Sequence, residues 1–384
     1  MGDHLKIAFL TATDSRDKKA RSGTIYYMSQ ALQKHCGDVY YLGPLSSHME
    51  GFTRFLNNVS LKLFKKSYAY EHSVLLAWSY ARIIMEKLKE EDFDLIFAPV
   101  ASTELALLTT DVPIIYTADA TFSLISNYYP DYFSEQLKLS REEGNYIEQS
   151  AINKSDLLLY PSNWAAESAL KDYGAEESKV KIIPYGANID HKPSLETIMR
   201  KKKRDKIYLL FLGVDWERKG GEIAFETLLE LENMGIKAGL TICGCIPPEE
   251  FSHEDMVVIP FLDKNEPEQY NRLEELFLNS DFLILPSRTE AYGVVFCEAN
   301  AYGLPAITTD TGGIPGVIEP DINGYMLPLK ARGREFAELI KELYEDDQKY
   351  YQLVRTSRET FEKKLNWDSW GKEVNSLIKD LLNK

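Results

Sequence analysis

Short apolar runs alternate along the whole chain with longer segments in which apolar residues return at helical spacing. In the first half the runs fall at 6–11, 38–42, 95–98, 114–117, 157–160 and 180–183, and each reads as a strand. Helical patterns at 24–34, 72–90 and 163–173 lie between them. The alternation stops near Pro184-Tyr185-Gly186-Ala187-Asn188, and a polar stretch follows that closes in the basic run Arg200-Lys201-Lys202-Lys203-Arg204. That run reads as a solvated linker or helix end. A second series then opens, with strands at 207–213, 238–243, 257–259, 282–285, 306–309 and 324–327 and helices at 220–234, 269–279, 294–302 and 333–345. Strands that alternate with helices build parallel sheets through βαβ units. The fold class predicted is therefore α/β, with two Rossmann-like domains facing a central cleft. Ligands are expected at the carboxyl ends of the strands.

Composition narrows the partners. With 384 residues, 44% hydrophobic and 27% charged, the chain has enough material for two domains with real cores. A net charge of −15 argues against a general nucleic-acid binder, which needs a broad basic surface. Cys36, Cys243, Cys245 and Cys297 show no paired metal-ligand spacing and no CxxC, so reduced, buried thiols are expected, with no metal and no cofactor. The apolar stretch at the N-terminus is too short for a signal peptide, and Lys6 stands where a myristoylation motif needs Ser or Thr. No run approaches the roughly 18 apolar residues of a membrane span. A cytoplasmic protein is expected, with any membrane contact peripheral. The place for such contact is 54–68, a basic segment in which Phe55, Val59 and Leu63 recur at helical spacing. The plainer reading of this segment is a surface helix whose apolar side lies on the core.

Candidate chemistry concentrates in the second half. Glu290-Ala-Tyr-Gly-Val-Val-Phe-Cys-Glu298 follows the strand at 282–285 and carries two carboxylates across a strand-to-helix junction. Gly293 lets backbone N–H groups approach an anion at the helix start, where the helix dipole also favours negative charge. Carboxylates repel phosphate but accept hydrogen bonds from sugar and ribose hydroxyls, so the segment suits a nucleotide sugar. Arg218-Lys219-Gly220-Gly221, in the turn after the strand at 207–213, can aim a guanidinium fork and a point charge at a diphosphate. Gly312-Gly313 suits close backbone approach to a ligand. Thr11-Ala12-Thr13-Asp14 lacks the GxGxxG turn that a dinucleotide oxidoreductase would need after its first strand.

Taken together, Arg218-Lys219-Gly220, the Glu290/Glu298 pair, Gly303-Leu304-Pro305-Ala306 and Gly312-Gly313-Ile314-Pro315 resemble the donor domain of retaining GT-B glycosyltransferases, family 4. The resemblance reaches into the first half at Ile183 to Asn188 and at Ser162-Asn163-Trp164, and covers nearly the whole chain. It implies an acceptor-binding domain at 1–190, a donor-binding domain at 191–365, and a closing helix at 366–384 that packs back on the first domain, with Trp367 and Trp370 as packing anchors. It further implies that Glu290 holds the transferred sugar and Glu298 the ribose, while Arg218 and Lys219 neutralise the diphosphate together with backbone amides near Gly293 and Val294. Phe261 and Leu262 are expected beside the nucleobase, and Gly23, in Ser22-Gly23-Thr24, near the phosphates. Many members carry a histidine after the fourth strand, where this chain has Asp119. Asp119 either takes over a hydrogen bond to the sugar or serves as a helix cap or turn residue. The expected partners are a UDP- or GDP-type sugar donor and an unidentified glycan, lipid or small-molecule acceptor. Other GT-B activities, such as an epimerase or phosphorylase, and a noncatalytic nucleotide-sugar sensor are the competing readings.

Overall fold

The computed structural model describes residues 5–129 and 135–383. The chain divides into two compact units, one comprising Met1–Ile183 with Trp370–Lys384 and the other Pro184–Ser369.

The first unit carries six parallel strands in the order β2-β1-β3-β4-β5-β6. They are β1 (Leu5–Phe9), β2 (Gly37–Tyr41), β3 (Leu95–Pro99), β4 (Ile114–Thr117), β5 (Leu157–Tyr160) and β6 (Val180–Ile182). Every residue of β3, β4 and β5 is buried, as parallel strands covered on both faces must be. Among the described residues the helices between them are α1 (Thr24–His35), α2 (His48–Phe64), α3 (Val74–Lys87), α4 (Ser102–Ala106), α5 (Phe122–Tyr128), α6 (Lys138–Lys154) and α7 (Asn163–Tyr173). Ser73 and Ser162 cap α3 and α7 by accepting from the N–H groups of Leu76 and Ala165, and Gly174 ends α7 in the left-handed region at φ 62°.

The periodicity does not reveal α6. Its buried stripe contains Ser140, Gly144 and Glu148 beside Ile147, Ala151 and Ile152, so the apolar repeat is broken where the packing is tightest. A Cβ on Gly144 would lie 2.2 Å from the ring of Phe122. Residues 54–64 of this pattern lie in α2, and here the plainer reading fails: the buried residues of this helix are Thr53 and Ser60, while Phe52, Phe55, Leu61, Leu63 and Phe64 are exposed.

The second unit repeats the parallel architecture in a different order, β12-β11-β10-β7-β8-β9. Its strands are β7 (Ile207–Leu212), β8 (Ala238–Cys243), β9 (Met256–Ile259), β10 (Phe282–Leu285), β11 (Ala306–Thr309) and β12 (Gly324–Leu327). The helices are α8 (Leu195–Met199), α9 (Gly221–Asn233), α10 (Pro267–Asn279), α11 (Val294–Ala301), α12 (Gly333–Glu345) and α13 (Asp347–Lys363), and α14 (Trp367–Leu382) closes the chain. The sequence pattern does not mark α13, whose buried apolar positions Tyr350, Leu353, Val354 and Phe361 are sparse among charged residues. Both tryptophans of the closing segment pack as anchors. Trp367 stacks on Tyr185 and donates its indole N–H to Asn188 Oδ1 at 3.0 Å, both within the second unit, while Trp370 meets Phe97 edge-on in the first.

Candidate functional site

In the second sheet β7 lies beside β10, and the strand order reverses between them. Open parallel sheets bind ligands at the carboxyl ends of strands at such a reversal. The loops leaving β7 and β10 are pressed together there. Gly220 sits at φ 74°, and a Cβ on it would stand 2.1 Å from the carbonyl oxygen of Pro286, so only glycine permits this approach. The N–H of Arg288 donates to the carbonyl of Arg218 at 2.8 Å and ties the loops a second time.

This junction brings Arg218, Lys219 and Glu290 together. Arg218 Nε donates to Asp215 Oδ2 at 3.3 Å and Nη1 to the carbonyl of Thr289 at 3.2 Å, which holds the guanidinium between the two loops. The stem of Lys219 lies over Gly213, and its ammonium forms an ion pair with Glu290 Oε2. Both partners are buried, with 9% and 8% of their surface exposed. An ion pair so far from water persists only with close geometry, since each ion alone would bear a large desolvation cost. The Gly312-Gly313 turn supports it from behind, because the N–H of Gly313 donates to the carbonyl of Glu290 at 3.1 Å.

Gly293 precedes α11 at φ 89°, and a Cβ there would meet the Phe296 ring at 2.5 Å and Glu290 Cγ at 3.3 Å. Val294 opens the helix, and no acidic residue occupies the first turn to compete with an incoming anion. Glu298, further along α11, is buried, and burial raises its carboxyl above the ordinary range against the opposing pull of Lys264. Lys264 pairs with Glu298 Oε1 and also donates to the carbonyl of Asn188 at 3.3 Å. The sequence reading missed Lys264. It follows Phe261 and Leu262 in the loop leaving β9, where any charged residue at the carboxyl end of a parallel strand is a candidate, and that position was the available signal. Phe261 is exposed and Leu262 half-buried. Glu290 and Glu298 are thus both buried, and each is held by one lysine.

The remaining predicted residues lie at the carboxyl edge of the first sheet. Gly23 caps α1 at φ 87°, and Arg21 and Ser22 before it are also left-handed at φ 47° and 57°. Non-glycine residues adopt that region at a cost of about 1–3 kcal/mol each, so the turn is strained. Asp119 follows β4 in a bend. It does not cap α5, since that place belongs to Thr121, whose hydroxyl accepts from the N–H of Leu124 at 3.4 Å. Between β1 and β3, where the order of this sheet reverses, the carboxylate of Glu104 accepts from the N–H of Ala12 at 2.7 Å. Glu104 is buried, and burial pushes its carboxyl up to about 7.

Among the described residues Glu232, His253 and Asp255 form a group whose donor atoms come within 4.8 Å of one another. They lie where α9 ends and β9 begins, at the amino edge of the second sheet. His253 Nδ1 accepts from the N–H of Asp255 at 3.1 Å, which places the ring proton on Nε2, 3.2 Å from Glu232 Oε2. Asp255 is also paired with Lys206. These contacts describe a hydrogen-bonded brace; a metal would have to displace both the ring proton and Lys206.

Comparison with known proteins agrees with this architecture. The family described as Glycosyl transferases group 1 matches residues 196–360, within the second unit, and the family described as Glycosyltransferase Family 4 matches residues 23–191. An uncharacterized 41.2 kDa protein in the cps region of Klebsiella pneumoniae is 26% identical over 263 residues, covering 64% of this chain and 68% of that protein. A D-inositol 3-phosphate glycosyltransferase of Paenarthrobacter aurescens is 25% identical over 262 residues, covering 65% and 62%. The chain thus spans about two thirds of the length of these relatives. Among solved structures, the lipopolysaccharide glycosyltransferase WaaG superposes with a TM-score of 0.62 at 18% identity over 97% of this chain and 99% of that one. Anabaena Alr3699/HepE in complex with UDP and glucose gives 0.64 at 15% identity over 98% and 100%. At these identities the likeness establishes the fold. With one family match on each half of the chain and the GT-B architecture in both units, the chain belongs to the group 1 glycosyltransferases.

Proposed function

We propose that the protein is a retaining glycosyltransferase that moves a sugar from a nucleoside diphosphate donor, of UDP or GDP type, to a glycan, lipid or small-molecule acceptor in glycan or glycolipid biosynthesis. The observation that carries this reading is the Lys219–Glu290 pair, buried beside Arg218 where the second sheet reverses its strand order. A diphosphate carries more negative charge than one carboxylate and draws Lys219 and Arg218 to itself. Glu290 then turns its oxygens to the hydroxyls of the transferred sugar. Glu298 and Lys264 form the second such couple, and there the ribose hydroxyls take one carboxylate oxygen. The N–H groups at Gly293 and Val294 add to the phosphate site, and Phe261 and Leu262 flank the base. In the first unit Gly23 faces the phosphates, and Asp119 accepts from the transferred sugar or the incoming hydroxyl.

In the reaction proposed, the bond from the anomeric carbon to the leaving phosphate oxygen breaks and the bond to the acceptor oxygen forms on the same face. The acceptor proton passes to an oxygen of the departing diphosphate. Arg218 and Lys219 stabilise the charge that collects on that group, an interaction stronger in the transition state than in the ground state. On this reading Arg218 and Lys219 supply the charge that a divalent metal would otherwise bring, and transfer requires none. Incubating the protein with UDP-, GDP- and ADP-sugars and a mixed acceptor set, then reading the product anomer by NMR, tests the reading. Transfer with the donor's anomeric configuration, insensitive to EDTA, is the expected result. Nucleotide binding without hydrolysis or transfer would make the protein a sensor, and an inverted anomer or a divalent-ion requirement would refute the mechanism.

A further inference from the structure

We propose that α2 is a docking surface for an anionic lipid bilayer, on which the protein binds peripherally. Phe52, Phe55, Val59 and Leu63 recur at the spacing of one helix face, and that face is turned away from the unit that carries it: Phe52 is 46% exposed, Phe55 59% and Leu63 70%. Phe64 extends the apolar surface at the end of the helix with 61% exposure. The helix is anchored by an adjoining side, about a quarter-turn round its axis. Thr53 and Ser60 are buried, the Ser60 hydroxyl donates to the carbonyl of Lys66, and the Ser47 capping box fixes the start. Its conformation therefore does not depend on a partner for the apolar face.

Charge identifies the occupant. Residues 54–66 contain the four cations Arg54, Lys62, Lys65 and Lys66 and no Asp or Glu, in a chain whose net charge is −15. All four cations are exposed. A second copy of the chain would bring the same positive face against this one, which like-charge repulsion opposes, and nucleic acid offers no apolar phase for three phenylalanines and a leucine. A bilayer with anionic headgroups supplies both needs, since aromatic and aliphatic side chains sink to the acyl boundary while flanking lysines meet the headgroups. Among the described residues no helix is long and apolar enough to cross a membrane, so the attachment is to the surface. This inference rests on none of the residues assigned to the donor.

Flotation of the full chain with vesicles of phosphatidylcholine alone, and with about 30% phosphatidylglycerol added, tests it. Binding to the anionic vesicles should exceed binding to the neutral ones by at least about tenfold, and about 0.5 M salt should remove most of the difference. Lys62→Glu/Lys65→Glu/Lys66→Glu should lower binding on the order of 100-fold. Phe55→Ser/Leu63→Ser should lower it on the order of tenfold, through lost burial of apolar surface. These positions are exposed, so melting temperature and nucleotide binding should match the parent and report the donor site separately. Equal binding to both vesicle types, no binding to either, or variants that float like the parent would overturn the proposal. So would light scattering that shows a dimer dispersed by Phe55→Ser/Leu63→Ser.

Discussion

The two sheets handle buried carboxylates in opposite ways at the points where their strand order reverses. In the second unit Glu290 and Glu298 are each held by a lysine, Lys219 and Lys264. In the first unit Glu104 is held by the N–H of Ala12, and Glu148, behind the sheet, by the hydroxyl of Tyr116 at 3.1 Å. Burial pushes both of these first-unit carboxyls up to about 7. A lysine partner supplies a counter-charge and can be drawn off by a stronger anion. Neutral donors hold a buried acid in place but leave it without a counter-charge. The second arrangement suits a framework; the first suits exchange with a ligand that brings both phosphates and hydroxyls.

Breaking one couple should have the largest effect. Lys219→Ala leaves Glu290 buried without its cation and should destabilise the second unit by roughly 3–5 kcal/mol, measured by urea unfolding. Adding Glu290→Gln to that variant should restore most of the loss, and a double variant no more stable than Lys219→Ala would mean that the pair is incidental. Next in size is the split between the two carboxylates under the catalytic reading. Glu290→Gln should lower turnover by about 10²–10³-fold with little change in nucleotide affinity, while Glu298→Gln should weaken nucleotide binding by about tenfold. Identical kinetics in both variants would end the division of roles.

The first-unit acids make a contrasting prediction in pH. The folded-state pKa of Glu148 is raised by burial, so the fold binds a proton that the unfolded chain has released between about pH 4.5 and 7. Its contribution to stability is present at low pH and is lost as pH rises through the folded value. Glu148→Gln should flatten the stability profile and leave the variant more stable than the parent by roughly 3 kcal/mol at pH 8. A parent whose stability rises over that window in step with the variant's would show that Glu148 is accommodated as an ion. A further prediction concerns the bend after β4: Asp119→Asn should lower turnover by roughly 10²-fold at unchanged melting temperature. Normal turnover with reduced stability would make it a turn residue only.

All twelve strands among the described residues were legible in the sequence, because buried parallel strands are apolar runs bounded by turns. The order of the strands was not. The two series look alike in one dimension, yet the first sheet runs β2-β1-β3 where the second runs β9-β8-β7-β10, and periodicity carries no information on which strand pairs with which. Glu290, Arg218 and Lys219 stood out because turn glycines and charges flank clear strands. The pairing of Lys264 with Glu298 joins residues 34 apart, and nothing local encodes it. The exposure of α2 was equally hidden, since its apolar spacing is that of a core-facing helix and only the burial of Thr53 and Ser60 reveals which side packs.

Calorimetric titration of UDP, GDP and ADP into the parent and the Arg218→Ala/Lys219→Ala variant tests the central claim most directly, with Arg218→Ala alone preserving the buried pair. At least one diphosphate should bind the parent, and its affinity should fall by about 10²–10³-fold in the double variant and about tenfold in the single one, as expected for charge-assisted contacts. Nucleotide affinity unchanged by either variant, or no binding of any of the three diphosphates, would contradict the account.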